Sequence, residues 1–344
     1  MTKRASKALS IRRRVVAAVA LLALLAAVAM PRLVAAQGAP VAFKAGIADP
    51  VNTVLAWYMA RAAGLYAAQG LDVDIVNMNG GSRGAEALQD GRIDVMHVGL
   101  SSVIKINQSG GDLRVVGALS NTVRFALFSA SDVKTAADLR GGVIGISSFG
   151  SESDTITTLA LHKLGLSRDD VVIKEYGGGT KRLEAVKSGE IKATLINEPL
   201  SSLAREQGVN VLLDLVPERI PWLFTGIVVR HGDIAGRRDL LSRFLKASIE
   251  GNYVAMADRE RAKQVLAKDL NITNPKILDI TYEDFRAQSP QNLVPTAEGA
   301  RNILEQFPNA PQDVGAYVDM TLLDALKNEG FFAAMQQKYG VTHQ

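Results

Sequence analysis

From Val41 onward, short apolar runs alternate with stretches in which apolar residues recur every three or four positions. The first pattern belongs to strands buried on one or both faces, the second to helices with one buried face. The alternation predicts strands over 41–47, 71–76, 93–98 and 114–119, with helices over 53–69, 82–89 and 101–108 between them. Asp72 and Asp74 sharpen the two-residue period of the second strand. The apolar run 125–129 reads as a crossing between lobes, after which the rhythm restarts. Strands are expected at 143–146, 171–176, 193–196 and 211–215, helices at 154–164, 181–188 and 200–207, and a returning strand at 224–229. From Asp239 the pattern is mostly helical, over 240–257, 259–269, 276–288, 296–306 and 321–338. Strands alternating with helices imply parallel sheets covered by helices on both faces.

Ahead of this pattern, residues 1–36 carry Lys3, Arg4, Lys7, Arg12, Arg13 and Arg14, then an apolar run to Met30 and a small-residue exit at Val34-Ala35-Ala36. A basic start, an apolar middle and a small-residue exit are the parts of an export signal. The run is shorter than the ~20 residues that cross a bilayer. Cleavage is therefore expected after Ala36, with a periplasmic destination. The signal also changes the charge. The chain has 39 Lys+Arg and 35 Asp+Glu, and seven of the bases lie within residues 1–36. The remainder has a net charge of −3 and no basic stripe, which removes the electrostatic footprint of nucleic-acid binding. Cysteine is absent, so disulfides, thiolate metal sites and a lipid-bearing cysteine are excluded.

The chemistry concentrates in the loops that follow strands, where open α/β sheets bind ligands against the free N–H groups of helix starts. Asp49, Asn52 and Thr53 follow the first strand, Gly81, Ser82 and Arg83 the second, and Gly99, Ser101 and Ser102 the third. In the second half the equivalents are Ser147, Ser148, Gly150 and Ser151, then Gly178, Gly179 and Thr180, then Glu198. Any one such loop reads as an ordinary turn or helix cap. Their recurrence after nearly every strand of both halves points to one cleft lined with donors. Arg83 is the charge best placed to meet an anion, and Lys181-Arg182 read as facing solvent. Trp222 is either hinge packing or a cleft wall, and Trp57 either core or a stacking platform.

Ala63-Gly64-Leu65-Tyr66, Gln69-Gly70-Leu71-Asp72-Val73 and Gly91-Arg92-Ile93-Asp94-Val95 carry a family likeness. So do Asp138-Leu139-Arg140-Gly141, Ile144-Gly145-Ile146-Ser147 and the stretch from Ala185-Val186-Lys187-Ser188-Gly189 to Glu198-Pro199. In this order the chain resembles the extracytoplasmic solute-binding proteins of ABC importers, in the group for nitrate, sulfonate, taurine and thiamine precursors. The resemblance implies an α/β, two-lobed periplasmic-binding-protein fold (type II-like) with a C-terminal helical tail. Lobe one would take 37–129 and 222–344, and lobe two 130–221. It also implies a monomer that closes over a small solute, here read as a sulfonate or carboxylate, and delivers it to a membrane permease served by a separate ATPase. No cofactor is implied.

Enzyme motifs are incomplete. Gly145-Ile146-Ser147-Ser148-Phe149-Gly150 has Phe149 where a serine-hydrolase elbow requires glycine. Gly177-Gly178-Gly179-Thr180-Lys181 lacks the spacing of a phosphate loop. His97, His162, His231 and His343 show no zinc-ligand spacing, and His97 in its apolar strand reads as a core residue. No catalytic or metal residue is assigned. The competing readings are an exported enzyme on the same scaffold, acting on a pyrimidine- or pyridoxal-like compound, and a sensory module for a membrane receptor. The export reading predicts that the secreted protein begins at Gln37. Intact-mass analysis checks this, and a product retaining residues 1–36 would contradict it.

Overall fold

The computed structural model describes residues 39–341, and the export-signal reading lies outside the described residues. Strands β1 (Val41–Ile47), β2 (Leu71–Asn77), β3 (Val95–Val98), β4 (Leu113–Thr122) and β10 (Pro221–Arg230) form one sheet, in the order β2-β1-β3-β10-β4. Strands β5 (Ala126–Ser129), β6 (Val143–Ile146), β7 (Val172–Glu175), β8 (Ala193–Ile196) and β9 (Asn210–Asp214) form the other, in the order β7-β6-β8-β5-β9. The two sheets share a plan. In each, three neighbouring strands run parallel (β2, β1, β3 and β7, β6, β8), and a strand arriving from the other half lies antiparallel beside them: β10 between β3 and β4, β5 between β8 and β9.

Helices α1 (Leu55–Ala62), α2 (Leu65–Ala68), α3 (Gly81–Gln89) and α4 (Leu100–Gln108) follow strands of the first sheet. Helices α5 (Glu152–Lys163), α6 (Gly179–Lys187) and α7 (Leu200–Glu206) follow those of the second. The chain ends in α8 (His231–Gly236), α9 (Arg238–Ala257), α10 (Arg259–Asp269), α11 (Pro275–Gln288), α12 (Ala297–Leu304), α13 (Thr321–Asn328) and α14 (Phe331–Tyr339). The two-lobed α/β fold with a helical tail is the one expected.

Two local expectations change. The run 125–129, placed at the end of lobe one, is β5 of the second sheet. It is apolar because it is a central strand, buried at all four positions between β8 and β9. The crossings between the sheets therefore lie at 123–125 and 215–220. They are tied together by Val123 N–H to the Ile220 carbonyl (3.0 Å) and Leu215 N–H to the Phe125 carbonyl (3.2 Å). The helix expected over 53–69 is interrupted at Gly64, whose φ of 70° is readily adopted by glycine and ends one helix before the next begins.

The first half and its helical tail share a core built around aromatic rings. Phe244 of α9 stacks on Phe43 (4.9 Å between centroids) and Tyr66 (5.2 Å), with Trp57 edge-on at 5.2 Å. Trp57 is thus core. Such pairs add roughly 0.5–1.5 kcal/mol each beyond the area they bury. Close packing of α9 on α1 depends on Gly251: a Cβ there would lie 2.3 Å from the Ala56 carbonyl oxygen and 2.8 Å from the Ala60 Cβ. Gly251→Ala is expected to cost about 1–3 kcal/mol in urea unfolding. Gly236→Ala, in open space at the end of α8, should stay within about 0.5 kcal/mol of the parent. Equal effects would contradict the packing argument.

Candidate functional site

The strand-end loops of both sheets meet, and the helices behind them exchange polar groups. Asp49, after β1, lies against the start of α6, where the Gly179 N–H bonds it; a Cβ on Gly178 would be 2.9 Å from its Oδ1. Glu152, the first residue of α5, reaches the opposite way. Its Oε1 accepts the Ser101 N–H at the start of α4 (2.8 Å), and its Oε2 accepts the Trp222 indole N–H (2.7 Å). Gly99 leaves room for it, since a Cβ at that position would be 2.1 Å from the Glu152 Oε1. Ser82 adds a hydroxyl bond to the Phe149 carbonyl (2.8 Å).

Between these contacts lies a cavity of about 480 Å³, counted out to its open mouth. Ala48, Asp49, Val51, Gly81, His97, Val98 and Gly99 wall it from the first half. Ser151, Glu152, Arg182 and Asn197 wall it from the second, and Phe125, Phe224 and Thr225 stand beside the crossings. Its enclosed part is about 70 Å³, and the rest is open to the mouth. Thr225 Oγ1 and His97 Nδ1 are buried without a hydrogen bond. A buried polar atom left in that state costs roughly 1–3 kcal/mol, so both are ready to accept a partner.

The charges are shaped by burial. Loss of water raises the Asp49 pKa, opposed by the Arg182 cation, the Gly179 N–H and Arg83. Burial likewise pushes Glu152 up to about 7 against its Trp222 and Ser101 donors. His97, 1% exposed, is pushed down to about 4 by burial and is neutral at pH 7; its Nε2 pairs with Thr53 Oγ1 at 2.8 Å. Arg182 is 3% exposed and bonds the Gly177 carbonyl, Thr194 Oγ1 and the Leu195 carbonyl, with Asp49 sustaining its charge. Its guanidinium is therefore largely spent on the protein itself.

Of the residues singled out in the sequence, Asp49, Gly81, Gly99 and Ser151 line the cavity. Ser82, Ser101, Ser102, Gly150, Gly178, Gly179 and Trp222 form the seam between the halves. Ser147 is engaged with Ser151 and Ser153, and Ser148 Oγ is buried without a bond. Others are not in the cavity wall. Asn52 turns to the Thr281 carbonyl and Asp284, and Thr53 is taken by His97. Arg83 folds onto the Asn79 carbonyl on an exposed surface, and Thr180 is exposed. Glu198 accepts from Ser201 and Ser202, while burial raises its pKa. Arg182, read as facing solvent, is buried in the wall. It shares the spacing of Gly179, Leu183 and Val186 on one helical face, which is the signal that was available. Glu152 was missed because an acid in a first helical turn ordinarily serves its own helix.

Two mixed sheets joined by paired crossings, with one cavity at the strand ends, define the two-lobed periplasmic-binding-protein fold. The NMT1/THI5-like family profile matches residues 52–262, and the chain belongs to that family. It is 30% identical over 213 residues to the riboflavin-binding protein RibY of Chloroflexus aurantiacus, covering 60% of each chain; it thus spans about 60% of that relative's length. A solved protein from Bordetella bronchiseptica RB50 superposes with a TM-score of 0.74 at 18% identity, over 89% of this chain and 99% of that one. The aliphatic sulphonate-binding protein SsuA of Escherichia coli gives 0.61 at 21% identity, over 78% and 86%. These structures share the fold.

Removing the buried cation should expose how much the wall depends on it. Arg182→Leu strands the Asp49 carboxyl and three acceptors, and should cost about 3–5 kcal/mol in urea unfolding. A loss below 1 kcal/mol would contradict the burial and pairing of Arg182.

Proposed function

We propose that this protein is the solute-binding component of an ABC importer, exported to the periplasm, where it encloses one small organic molecule and presents it to a membrane permease. The observation that carries the reading is the cavity itself, walled from both halves and bounded by bonds that exist only when the halves meet. A solute touching both walls binds the closed form better than the open form and draws the equilibrium toward closure. The closed surface is then what a permease reads. The cavity is a binding site rather than a catalytic one on this reading: its one histidine is neutral, buried and taken up by Thr53, and its serine, Ser151, is bonded to Ser147 and Ser153 rather than to a base.

The solute is an uncharged aromatic heterocycle carrying N–H groups, rather than a sulfonate or carboxylate. Asp49 and Glu152 bring two carboxyls to the cavity, against one guanidinium already engaged by protein acceptors. An oxyanion would meet repulsion without a free cation. A heterocycle fits differently, with Val51, Val98, Phe125 and Phe224 for its faces and the unbonded Thr225 Oγ1 and His97 Nδ1 for its polar edge. The riboflavin named for the Chloroflexus relative belongs to this chemical class.

Thermal unfolding of the exported chain with riboflavin, a free pyrimidine, an alkanesulfonate, a carboxylate and nitrate tests the assignment. A binder at 100 times its Kd stabilises the folded protein by about 2.7 kcal/mol, read as a rise in Tm. The heterocycles should raise Tm and the oxyanions should not. A rise with the sulfonate or nitrate alone would overturn the solute class.

A further inference from the structure

We propose that Glu152 is the positioning residue that latches the two halves shut over the cavity, and that the charge on this one carboxyl sets how readily the cavity opens. A glutamate in a first helical turn ordinarily stays in water beside its own helix. This one leaves its own half and bonds two groups of the other, the Ser101 N–H and the Trp222 indole N–H. The seat is shaped for it. Gly99 has no side chain to obstruct it, and the buried Ser101 hydroxyl lies beside the carboxyl. Trp222 is 1% exposed, so its indole N–H would lose its partner whenever the glutamate withdraws.

The direction of the pH effect follows from where the carboxyl sits in each form. With the halves apart it meets water and titrates in the ordinary carboxylate range; with the halves together, burial holds its proton up to about pH 7. The closed form therefore binds the proton more tightly. Its advantage is complete below the ordinary range and is lost as pH rises through about 7. His97 from β3 loses its proton near pH 4 and is neutral above it. Arg182 from α6 remains cationic, and Asp49 after β1 is bonded to Gly179. Lys105 of α4 lies beside Gly150, Asp154 of α5 is paired with Arg168, and Glu298 and Arg301 of α12, the helix packed on β10, are exposed.

The latch rests on the reading of this molecule as a closing binding protein, but its test needs no solute. The chain has two tryptophans, and Trp57 makes no hydrogen bond through its indole nitrogen, so Trp57→Phe leaves Trp222 as the sole reporter. In that protein the Trp222 emission should shift to the red as pH rises from 5 to 8.5, with a midpoint near 7, and the radius of gyration from small-angle scattering should grow over the same interval. Glu152→Gln in that background should abolish the pH dependence of both readouts. Glu152→Asp, one methylene short of the Trp222 contact, should stay open across the range. A flat Trp222 profile in the Trp57→Phe protein, or an unaltered transition in the Glu152→Gln protein, would overturn the proposal. A failed solute screen would leave these results standing.

Discussion

The meeting of the two halves depends on an exchange of carboxyls between them, each seated at the start of a helix it does not belong to. Asp49 of the first half meets the Gly179 N–H at the start of α6, and Glu152 of the second meets the Ser101 N–H at the start of α4. Helix starts offer N–H groups that their own helix cannot satisfy, and carry a partial positive charge. A buried carboxyl is costly to desolvate, so neither would remain in place without those donors. The glycines at 99 and 178 follow from the same contacts, because a side chain at either would occupy the space of the arriving oxygen.

This exchange also fixes the character of the cavity. Carboxyls used to join the halves end up in its wall, and the buried cation that balances them, Arg182, is committed to Asp49 and to carbonyl and hydroxyl oxygens. What remains free is a set of neutral acceptors and donors, Thr225 Oγ1 and His97 Nδ1 among them, between apolar and aromatic surfaces. A fold shared with sulfonate-binding structures therefore need not carry a sulfonate site. The fold sets where a ligand sits, and the side chains at the strand ends set which one.

Much of this was legible in the sequence because periodicity reports burial directly. Alternation located β1, β2 and the central strands, and the glycine- and serine-rich loops after them did gather at one seam. The failures have physical causes. The run 125–129 looked like a linker because a strand buried on both faces loses its alternation. Asn52 and Thr53 were polar residues in the right loop, yet tertiary partners 44 and 229 positions away, His97 and Thr281, claimed them. Arg182 was charged and so was assigned to water, and Glu152 was not singled out. Only the other half of the molecule supplies the groups that make their burial tolerable, and no local pattern announces those groups.

The central claim is that docking of Glu152 across the seam holds the halves together. Because the chain has no cysteine, Asp72→Cys on β2 and Lys174→Cys on β7 give one spin label on an exposed position of each half. Their distance is to be compared with and without Gly99→Ala, whose added methyl would fall 2.1 Å from the Glu152 Oε1. The account predicts a longer distance in the alanine protein; an unchanged distance would contradict it.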